Sequence, residues 1–321
     1  MGVTEVDRVR ARRTLRIVER PWADPALDEA VDAVRRRYLY AGVGLLAATR
    51  LDPEVRAQRV EALSHAAVGQ SRDIATLLAA DQSNPDMWLW LGRTLVEEAW
   101  LLRPDVRARS AQAGRQREFH QAMERAREPL RTAARLLPAD PVPWESLMWM
   151  ALGLDAPRAE KDALWAECAR RFPTLFPANV ARLITLSPGW GGTTGEMFEF
   201  ARVAVSRAPE GDPLPALVPL AHFERNAERS GGRHWFDDEA LREIVSAAGS
   251  WVERRRMVPH PRAIEAHNLF GAAFYLADLR RPARGHLVRT GGRVSRLPWS
   301  HLGEPRQQYL RACGRLNIVT T

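Results

Sequence analysis

Apolar residues recur along most of the chain at the three- and four-residue spacing of amphipathic α-helices. This spacing predicts one helix over residues 27–45 and a second between Val55 and Leu78. Before them, the few apolar residues between Val3 and Glu19 predict either a loosely docked helix or a partly disordered arm. No stretch shows the alternation of β-branched and polar residues that a sheet requires. The pattern therefore predicts an all-α protein.

A short proline-containing phrase is repeated three times in the middle of the chain. Pro141, Pro177 and Pro213 are 36 residues apart, and an arginine stands six residues before each of them. A repeat of this length is typical of stacked helical hairpins, in which one proline ends a unit and another opens the next. We therefore predict an α-solenoid of antiparallel helical hairpins.

The W-x-x-L-G-x-x-L pattern at residues 88–95 resembles the first helix of the tetratricopeptide repeat. In that family the glycine, here Gly92, allows the two helices of a hairpin to approach closely. The resemblance ends after this helix, because Pro104 stands where the family has alanine. The arginine-rich residues 103–117 predict an extended loop or an insertion instead.

The H-x-x-F-G-x-x-F pattern at residues 267–274 resembles the same repeat, with His267 in place of the family's tryptophan. Ala283 and Leu287 fall at the spacing that the family shows in its second helix. The chain is also similar to an actinobacterial family of tetratricopeptide-like proteins of unknown function. That similarity implies a fold but no activity, and it is carried by residues 186–202, 221–224, 266–270 and 298–299.

These observations predict the organisation of the whole chain. We expect an N-terminal helical region over residues 1–83 and a repeat region over residues 84–321 that is continuous with it. Together they would form a single elongated domain with about five or six degenerate repeats.

Charge is unevenly distributed in this 321-residue chain, whose formal net charge is +8. All but Lys161 of the 47 basic residues are arginines, which is typical of a GC-rich coding background because phosphate binding does not require arginine. Between Arg280 and Thr321, nine arginines face Glu304 alone. This basic end predicts a solvated rim or a contact with an acidic partner, and nucleic-acid binding ranks last among the functions considered.

Cysteine content and hydropathy predict a cytoplasmic protein without a membrane partner. Cys168 and Cys313 have no disulfide-framework or metal-site spacing, which suits a reducing compartment. The N-terminus has no apolar core of a signal peptide. No apolar run reaches the length of about 18 residues that a membrane-spanning helix needs.

Motifs that would indicate an enzyme are missing from the sequence. It contains no H-E-x-x-H, no G-x-S-x-G and no phosphate-binding glycine loop that ends in Lys-Ser or Lys-Thr. His120 and Glu124 are one helical turn apart, but such a pair is common by chance and typical of a surface contact. We therefore predict a non-catalytic protein with no catalytic residue, metal or cofactor.

The most distinctive local stretch is the glycine-rich turn after Trp190. Gly191 and Gly192 precede a helix on which Thr193 and Glu196 have the spacing of a capping box. One interpretation is a tight interhelical turn with Trp190 in the hydrophobic seam. The other is an anion site formed by Gly191, Gly192 and Thr193 at the helix N-terminus, although the capping side chains compete for the same N–H donors.

Polar residues in the middle of predicted first helices are the remaining candidates for a ligand site. In tetratricopeptide-like stacks the first helices line the concave groove, so their side chains would face one channel. The alternative is packing, with a buried histidine hydrogen-bonded between neighbouring helices. The predicted groove residues are Arg182, Trp190, His222, Glu224, His267 and Asn268.

Three functions follow from these predictions. The first is a scaffold that binds a protein or peptide segment in its concave helical groove. The second is a small-molecule-binding protein or accessory enzyme that uses His222, Glu224, His267 and Asn268. The third is nucleic-acid binding through the arginine-rich C-terminal end.

Overall fold

Nearly all regular structure in the described part of the chain is helical. The computed structural model describes residues 14–104, 112–227, 235–251 and 259–321. In these ranges the only β-type pairings are two isolated bridges, from Leu15 to Thr320 and from Val18 to Arg293. The prediction of an all-α fold without a sheet is therefore confirmed for this part of the chain.

The chain divides into two compact units. The larger unit is Asp24–Arg207, and the smaller unit combines Met1–Ala23 with Ala208–Thr321. The helices on both sides of residue 84 thus belong to the same unit. The organisation into an N-terminal region over residues 1–83 and a continuous repeat region over residues 84–321 stays a prediction.

Helices α1 to α11 form the larger unit. Most neighbouring helices contact each other, and α5 contacts α2, α3, α4, α6, α7 and α8. Their bounds are α1 Pro25–Arg35, α2 Tyr40–Ala47, α3 Pro53–Ala66, α4 Ser71–Ala80, α5 Pro85–Leu101, α6 Gln112–Glu124, α7 Arg127–Leu136, α8 Val142–Gly153, α9 Arg158–Arg171, α10 Phe176–Thr185 and α11 Thr194–Arg207, with a 3₁₀ turn at Pro188–Trp190.

Helices α12 to α16 form the smaller unit. The closest hairpin in it pairs α14 with α15, and α14 also contacts α12, α13 and α16. Their bounds are α12 Leu217–Ala227, α13 Asp238–Ser250, α14 Ala263–Leu276, α15 Arg280–Arg289 and α16 Pro305–Arg315, with 3₁₀ turns at Leu214–Ala216 and Trp299–His301.

The repeated proline phrase marks breaks between helices, as predicted. Helices α7, α9 and α11 end just before the three copies, and α8, α10 and the 3₁₀ turn before α12 begin within them. In the first copy the Asp140 carboxylate accepts a hydrogen bond from the N–H of Val142 at 2.9 Å. In the third copy Asp212 does the same for Leu214 at 2.9 Å. These side chains supply partners for N–H groups that a helix start leaves unpaired.

The two glycines of the tetratricopeptide-like motifs lie where helices approach closely. A Cβ atom on Gly92 of α5 would lie 2.6 Å from the side chain of Leu130 of α7. A Cβ atom on Gly271 of α14 would lie 2.4 Å from the side chain of Leu287 of α15. Both distances are well inside van der Waals contact, so no larger residue fits without a shift of the helices. At these two glycines the helices therefore approach each other closely.

Two helices that the hydrophobic spacing predicted as continuous are each broken once. The helix predicted over residues 27–45 is α1 and α2, because Arg37 adopts a left-handed φ of 66° and closes α1 in a Schellman motif. The helix predicted between Val55 and Leu78 is α3 and α4, because Gly69 has a φ of 81°. Apolar periodicity continues across both turns and therefore hides them.

The predicted N-terminal helix or disordered arm is an extended segment where the structure describes it. In residues 14–19, the N–H of Leu15 donates to the carbonyl of Val319 at 2.9 Å. The N–H of Val18 donates to the carbonyl of Gly292 at 3.0 Å. Leu15 is buried, and the segment is paired with the C-terminal end of the same unit.

The predicted loop over residues 103–117 is helical in its last part, because α6 already begins at Gln112. Its residues 105–111 lie outside the described ranges. The same holds for residues 228–234 and 252–258. Within the described ranges, no helix is both long and apolar enough to cross a membrane.

Candidate functional site

The predicted groove residues are divided between the two units. Those in the larger unit are Arg182 and Trp190, and those in the smaller unit are His222, Glu224, His267 and Asn268.

His267 pairs with a second histidine inside its own hairpin. Its Nδ1 lies 3.0 Å from Nδ1 of His286 on α15. The indole ring of Trp251 lies 4.6 Å from the His267 ring and stacks on Phe270 at 5.7 Å. Burial lowers the pKa of both histidines to about 3, and the charge of Arg289 adds to this effect. Both rings are therefore neutral near pH 7, with one nitrogen donating and the other accepting.

His222 and Glu224 bind different partners from the same helix, α12. His222 is buried, and its Nε2 lies 2.9 Å from Oε2 of Glu243 on α13. Burial lowers the pKa of His222, and Arg225 lowers it further against the opposing effect of Glu243. Glu224 contacts Nε2 of His301 at 3.2 Å.

Asn268 connects α14 to the segment that follows α15. Its Nδ2 donates to the carbonyl oxygens of Ile264 at 2.9 Å and of Arg293 at 3.0 Å. Its Oδ1 accepts a hydrogen bond from Nε1 of Trp299 at 2.8 Å, and both side chains are fully buried. The amide is thus satisfied by the protein itself, which is the arrangement of a structural asparagine.

Each predicted polar residue of the smaller unit therefore has a partner within that unit. Sequence reasoning did not find these partners, which are His286, Glu243 and His301. They stand 19 to 77 positions along the chain from the residues they contact, and no local spacing links them. Ligand binding by these residues stays a prediction.

Arg182 of α10 is held by the preceding hairpin. Its NH1 lies 2.6 Å from Oδ1 of Asp162 on α9, and Arg158 contacts the same carboxylate oxygen at 2.9 Å. Although burial opposes it, the two arginines together lower the pKa of Asp162. The guanidinium of Arg182 therefore belongs to an ion-pair cluster between α9 and α10.

The glycine-rich turn after Trp190 is as tight as its sequence predicted. Gly191 has a left-handed φ of 88°, and a Cβ atom on Gly192 would lie 2.1 Å from the carbonyl oxygen of Leu186. The N–H of Gly191 donates to Pro188 at 3.2 Å, and that of Gly192 donates to Ser187 at 3.1 Å. The N–H groups of both glycines of the predicted anion site are thus engaged within the turn.

The predicted capping box at the start of α11 is formed. The N–H of Glu196 donates to Oγ1 of Thr193 at 3.1 Å, and the Thr193 hydroxyl donates to the Glu196 carboxylate at 2.9 Å. Hydrogen bonds from Thr193 and the ion pair with Arg158 lower the pKa of Glu196. A carboxylate therefore lies at the helix N-terminus, where an anion would bind. The anion site stays a prediction.

Trp190 packs against the end of α5 in an arrangement that we call the aromatic platform, defined as Trp100, Arg103 and Trp190. The two indole rings meet edge to face at 6.0 Å. The Arg103 guanidinium lies 4.6 Å from the centre of the Trp190 ring and 5.2 Å from that of Trp100. Next to it, Leu101 is 69% exposed and Leu102 is 43% exposed. Sequence analysis identified Trp190 but not its neighbours.

The helix starts of the larger unit are joined by a buried ionic cluster that sequence analysis also missed. Arg56 of α3 lies 2.7 Å from Asp86 at the start of α5 and 2.6 Å from Asp140 before α8. From the same helix, Glu54 accepts a hydrogen bond from the first N–H of α10, on Phe176, at 2.7 Å. The side chains of α3 thus contact the beginnings of three helices, α5, α8 and α10. Carboxylates at helix starts are favoured by the helix dipole.

His120 and Glu124 of α6, the possible metal-binding pair, contact other residues and not each other. Nε2 of His120 lies 2.7 Å from Nε2 of Gln116. Glu124 is instead paired with Arg127. Across the part of the chain that the structure describes, no three His, Cys, Asp or Glu residues are grouped as metal ligands would be.

Comparison with known proteins gives no family assignment. No family model, no curated protein and no solved structure matches the chain. The fold and the contacts described above therefore carry the functional argument.

Proposed function

We propose that the protein is a non-catalytic interaction module that binds a segment of a partner protein. In this proposal the hairpins of the larger unit form a tetratricopeptide-like stack, whose first helices line a groove. Arg182 and Trp190 would lie along that groove. The observation that carries the proposal is the aromatic platform of Trp100, Arg103 and Trp190 beside two exposed leucines.

The platform has the composition of a protein-binding hot spot. Tryptophan and arginine are the residues most enriched at such positions, and they act in rigid, partly desolvated clusters. Trp190 is held by the edge-to-face contact with Trp100 and by its turn, whose carbonyl at residue 190 accepts a hydrogen bond from Lys161 at 3.3 Å. A preorganised surface loses little conformational entropy when a partner binds. Leu101 and Leu102 add apolar area next to it.

The helical hairpins support the same proposal. The proline phrase separates successive units, and Gly92 lies at a close helix contact as in tetratricopeptide repeats. Stacks of this kind present long surfaces to extended or helical peptides. The buried histidines of the smaller unit are neutral and paired, so no specific observation favours the alternative of small-molecule binding through them.

Affinity capture with the full chain tests the proposal. Extracts of the native host are treated with nuclease and passed over wild-type protein and over Trp190→Ala and Leu101→Asp variants. We expect at least one protein to be enriched by the wild type and reduced at least about tenfold by each variant, as for hot-spot residues. A photoreactive residue in place of Leu102 should crosslink to the same protein.

Trp144→Ala is the matched control. Trp144 is also half-buried in the larger unit and carries an arginine, Arg171, 4.8 Å from its ring centre. This variant removes the same kind of stack at another place and should retain the partner. Equal recovery from the wild type and all three variants would contradict the proposal, provided that circular dichroism shows each variant to be folded.

A further inference from the structure

Helix α2 presents an apolar face to solvent. No charged residue occurs between Tyr38 and Thr49, and the helix packs on the protein through Gly42 and Leu46. A Cβ atom on Gly42 would lie 2.7 Å from the ring of Trp90, so this side of α2 is tightly seated on α5. The other side has no comparable contact, since a Cβ atom on Gly44 would meet nothing within 4 Å.

The exposed residues of α2 form one stripe that continues into the following turn. In α2 and at its C-cap they recur at positions 40, 44, 47 and 48, which is the spacing of one helix face, and Leu51 follows in the turn. Tyr40 is 65% exposed and Leu51 is 99% exposed. Tyr38 is 61% exposed, and its ring lies 6.3 Å from that of Tyr40. An exposed helix face is normally polar, so a wholly apolar stripe indicates a contact that it was selected to make.

Arginines border the stripe at both ends. Arg35, Arg36 and Arg37 are exposed directly before Tyr38, and Arg50 precedes Leu51. Arg37 forms an ion pair with Asp73 at 3.0 Å, and Arg50 forms an ion pair with Asp86 at 2.6 Å. From residue 35 to residue 52, Asp52 is the only acidic residue. With Asp52, Asp73 and Asp86 counted against the four arginines, the local charge is +1, which is complementary to an anionic surface.

The dimensions of the stripe favour a lipid surface over a second protein. The stripe is short, because eight helical residues span only about 12 Å in length. A standard protein interface is larger and covers an area of about 800 Å² on each partner. A membrane surface requires only a few inserted apolar side chains, tyrosines at the level of the headgroups and basic residues next to them. We propose that α2 and its flanking turns dock the protein on an anionic phospholipid surface, with Leu51 and Tyr40 inserted and Arg35 to Arg37 bound to headgroup phosphates.

Vesicle flotation with the full chain tests the proposal. Unilamellar vesicles contain phosphatidylcholine either alone or with about 30 mol% phosphatidylglycerol as the anionic lipid. We expect the wild type to float only with the anionic vesicles. Tyr40→Ser/Leu51→Ser should lose at least about tenfold in affinity through the lost apolar insertion. Arg35→Gln/Arg36→Gln should lose a similar factor, because each arginine near such a surface contributes about fivefold.

Leu136→Ser is the matched control, because Leu136 is an exposed leucine of the same unit that lies outside the stripe and outside the aromatic platform. It should bind vesicles like the wild type. As a second measurement, an environment-sensitive dye on Leu51→Cys should shift to the blue with anionic vesicles, and the dye on Leu136→Cys should not. The two native cysteines are buried and should not react.

Three results would overturn the proposal. The first is a wild-type protein that does not float with the anionic vesicles. The second is an equal loss of binding in Leu136→Ser and in the α2 variants. The third is a Tyr40→Ser/Leu51→Ser variant that still binds vesicles but has lost self-association or partner capture. That third result would identify the stripe as a protein contact.

Discussion

Nε of Arg56 lies 2.6 Å from Oδ2 of Asp140, and the side chains of both residues are 1% exposed. The same guanidinium also lies 2.7 Å from Oδ1 of Asp86 and donates to the carbonyl of Leu46 at 3.2 Å. One arginine thus joins α3 to the beginnings of α5 and α8. Burial raises the pKa of Asp140 and Arg56 opposes this effect, so the carboxylate depends on Arg56 to stay ionised.

Replacement of Arg56 by methionine should destabilise the larger unit strongly. The change leaves Asp140 without its ion-pair partner in a buried position, and loss of one member of a buried pair typically costs about 3–5 kcal/mol. Urea unfolding followed by circular dichroism measures the change. Asp140→Asn in the Arg56→Met background should restore part of the loss, because the uncompensated charge is then removed.

Arg135→Met provides the comparison for that prediction. Arg135 pairs with Glu128 at 2.9 Å, but the two side chains are 64% and 70% exposed. An exposed pair of this kind is screened by solvent and contributes little to stability. If Arg56→Met and Arg135→Met lower the free energy of unfolding equally, the buried cluster does not have the role that we assign to it.

The His267–His286 pair should make the smaller unit less stable as the pH falls. Burial holds the pKa of both histidines at about 3 in the folded protein, below the value of 6.5 of an unfolded chain. Below about pH 6.5 the unfolded state binds protons that the folded state does not. The contribution of the two neutral rings to the free energy of unfolding is therefore complete above about pH 6.5. Below that pH it decreases by about 1.4 kcal/mol per pH unit for each histidine.

His267→Gln/His286→Gln should flatten the dependence of the free energy of unfolding on pH between about pH 6 and pH 4. His65→Gln is the control. His65 contacts Glu97, and this hydrogen bond raises the pKa of His65 against the effect of burial. Its contribution has the opposite sign, since it is present at low pH and is lost as the pH rises through the folded pKa. A double variant as pH-dependent as the wild type would contradict the prediction.

Local sequence signals predicted the parts of the fold that local physics determines. The capping box of Thr193 and Glu196 predicted the start of α11, where the two residues hydrogen-bond to each other. They are three positions apart in the chain, so a short stretch of sequence is enough to predict the boundary.

Features that depend on distant residues could not be predicted in this way. The turn at Arg37 is left-handed although glycine is the usual residue there, and the apolar spacing continues across it. His222 and Glu243 are 21 residues apart and pair only because α12 and α13 pack together. The extended segment at Leu15 pairs with residues at the far end of the chain. Sequence alone gave the candidate residues but not their partners.

Two glycines of the α14–α15 hairpin should respond in opposite directions to alanine. A Cβ atom on Gly271 would lie 2.4 Å and 2.9 Å from side-chain atoms of Leu287, so Gly271→Ala overpacks the hairpin and should cost about 1–3 kcal/mol. A Cβ atom on Gly285 would meet only the end of the Arg289 side chain, at 3.5 Å. Gly285→Ala should stabilise α15 by about 0.5–1 kcal/mol through helix propensity.

Thermal unfolding of both glycine variants measures these changes. The pair is informative because the two substitutions are chemically identical and lie on the two helices of one hairpin. A stable Gly271→Ala variant would show that the close approach of α14 and α15 is not required, and it would weaken the comparison with tetratricopeptide hairpins.

Thr193→Ala should separate the capping role of this residue from any role in binding. Thr193 accepts a hydrogen bond from the N–H of Glu196 at 3.1 Å, and loss of such a cap typically costs about 1 kcal/mol. Ser206→Ala, near the other end of α11, removes only a hydroxyl that donates to the carbonyl of Val203 and should change stability by less than about 0.5 kcal/mol. Denaturant midpoints measure both effects.

Sulfate titration of the folded proteins would then show the wild type and Thr193→Ala binding the anion equally weakly, because the N–H groups of Gly191 and Gly192 are already engaged within the turn. Saturable sulfate binding by the wild type that is lost in Thr193→Ala would instead support the anion site.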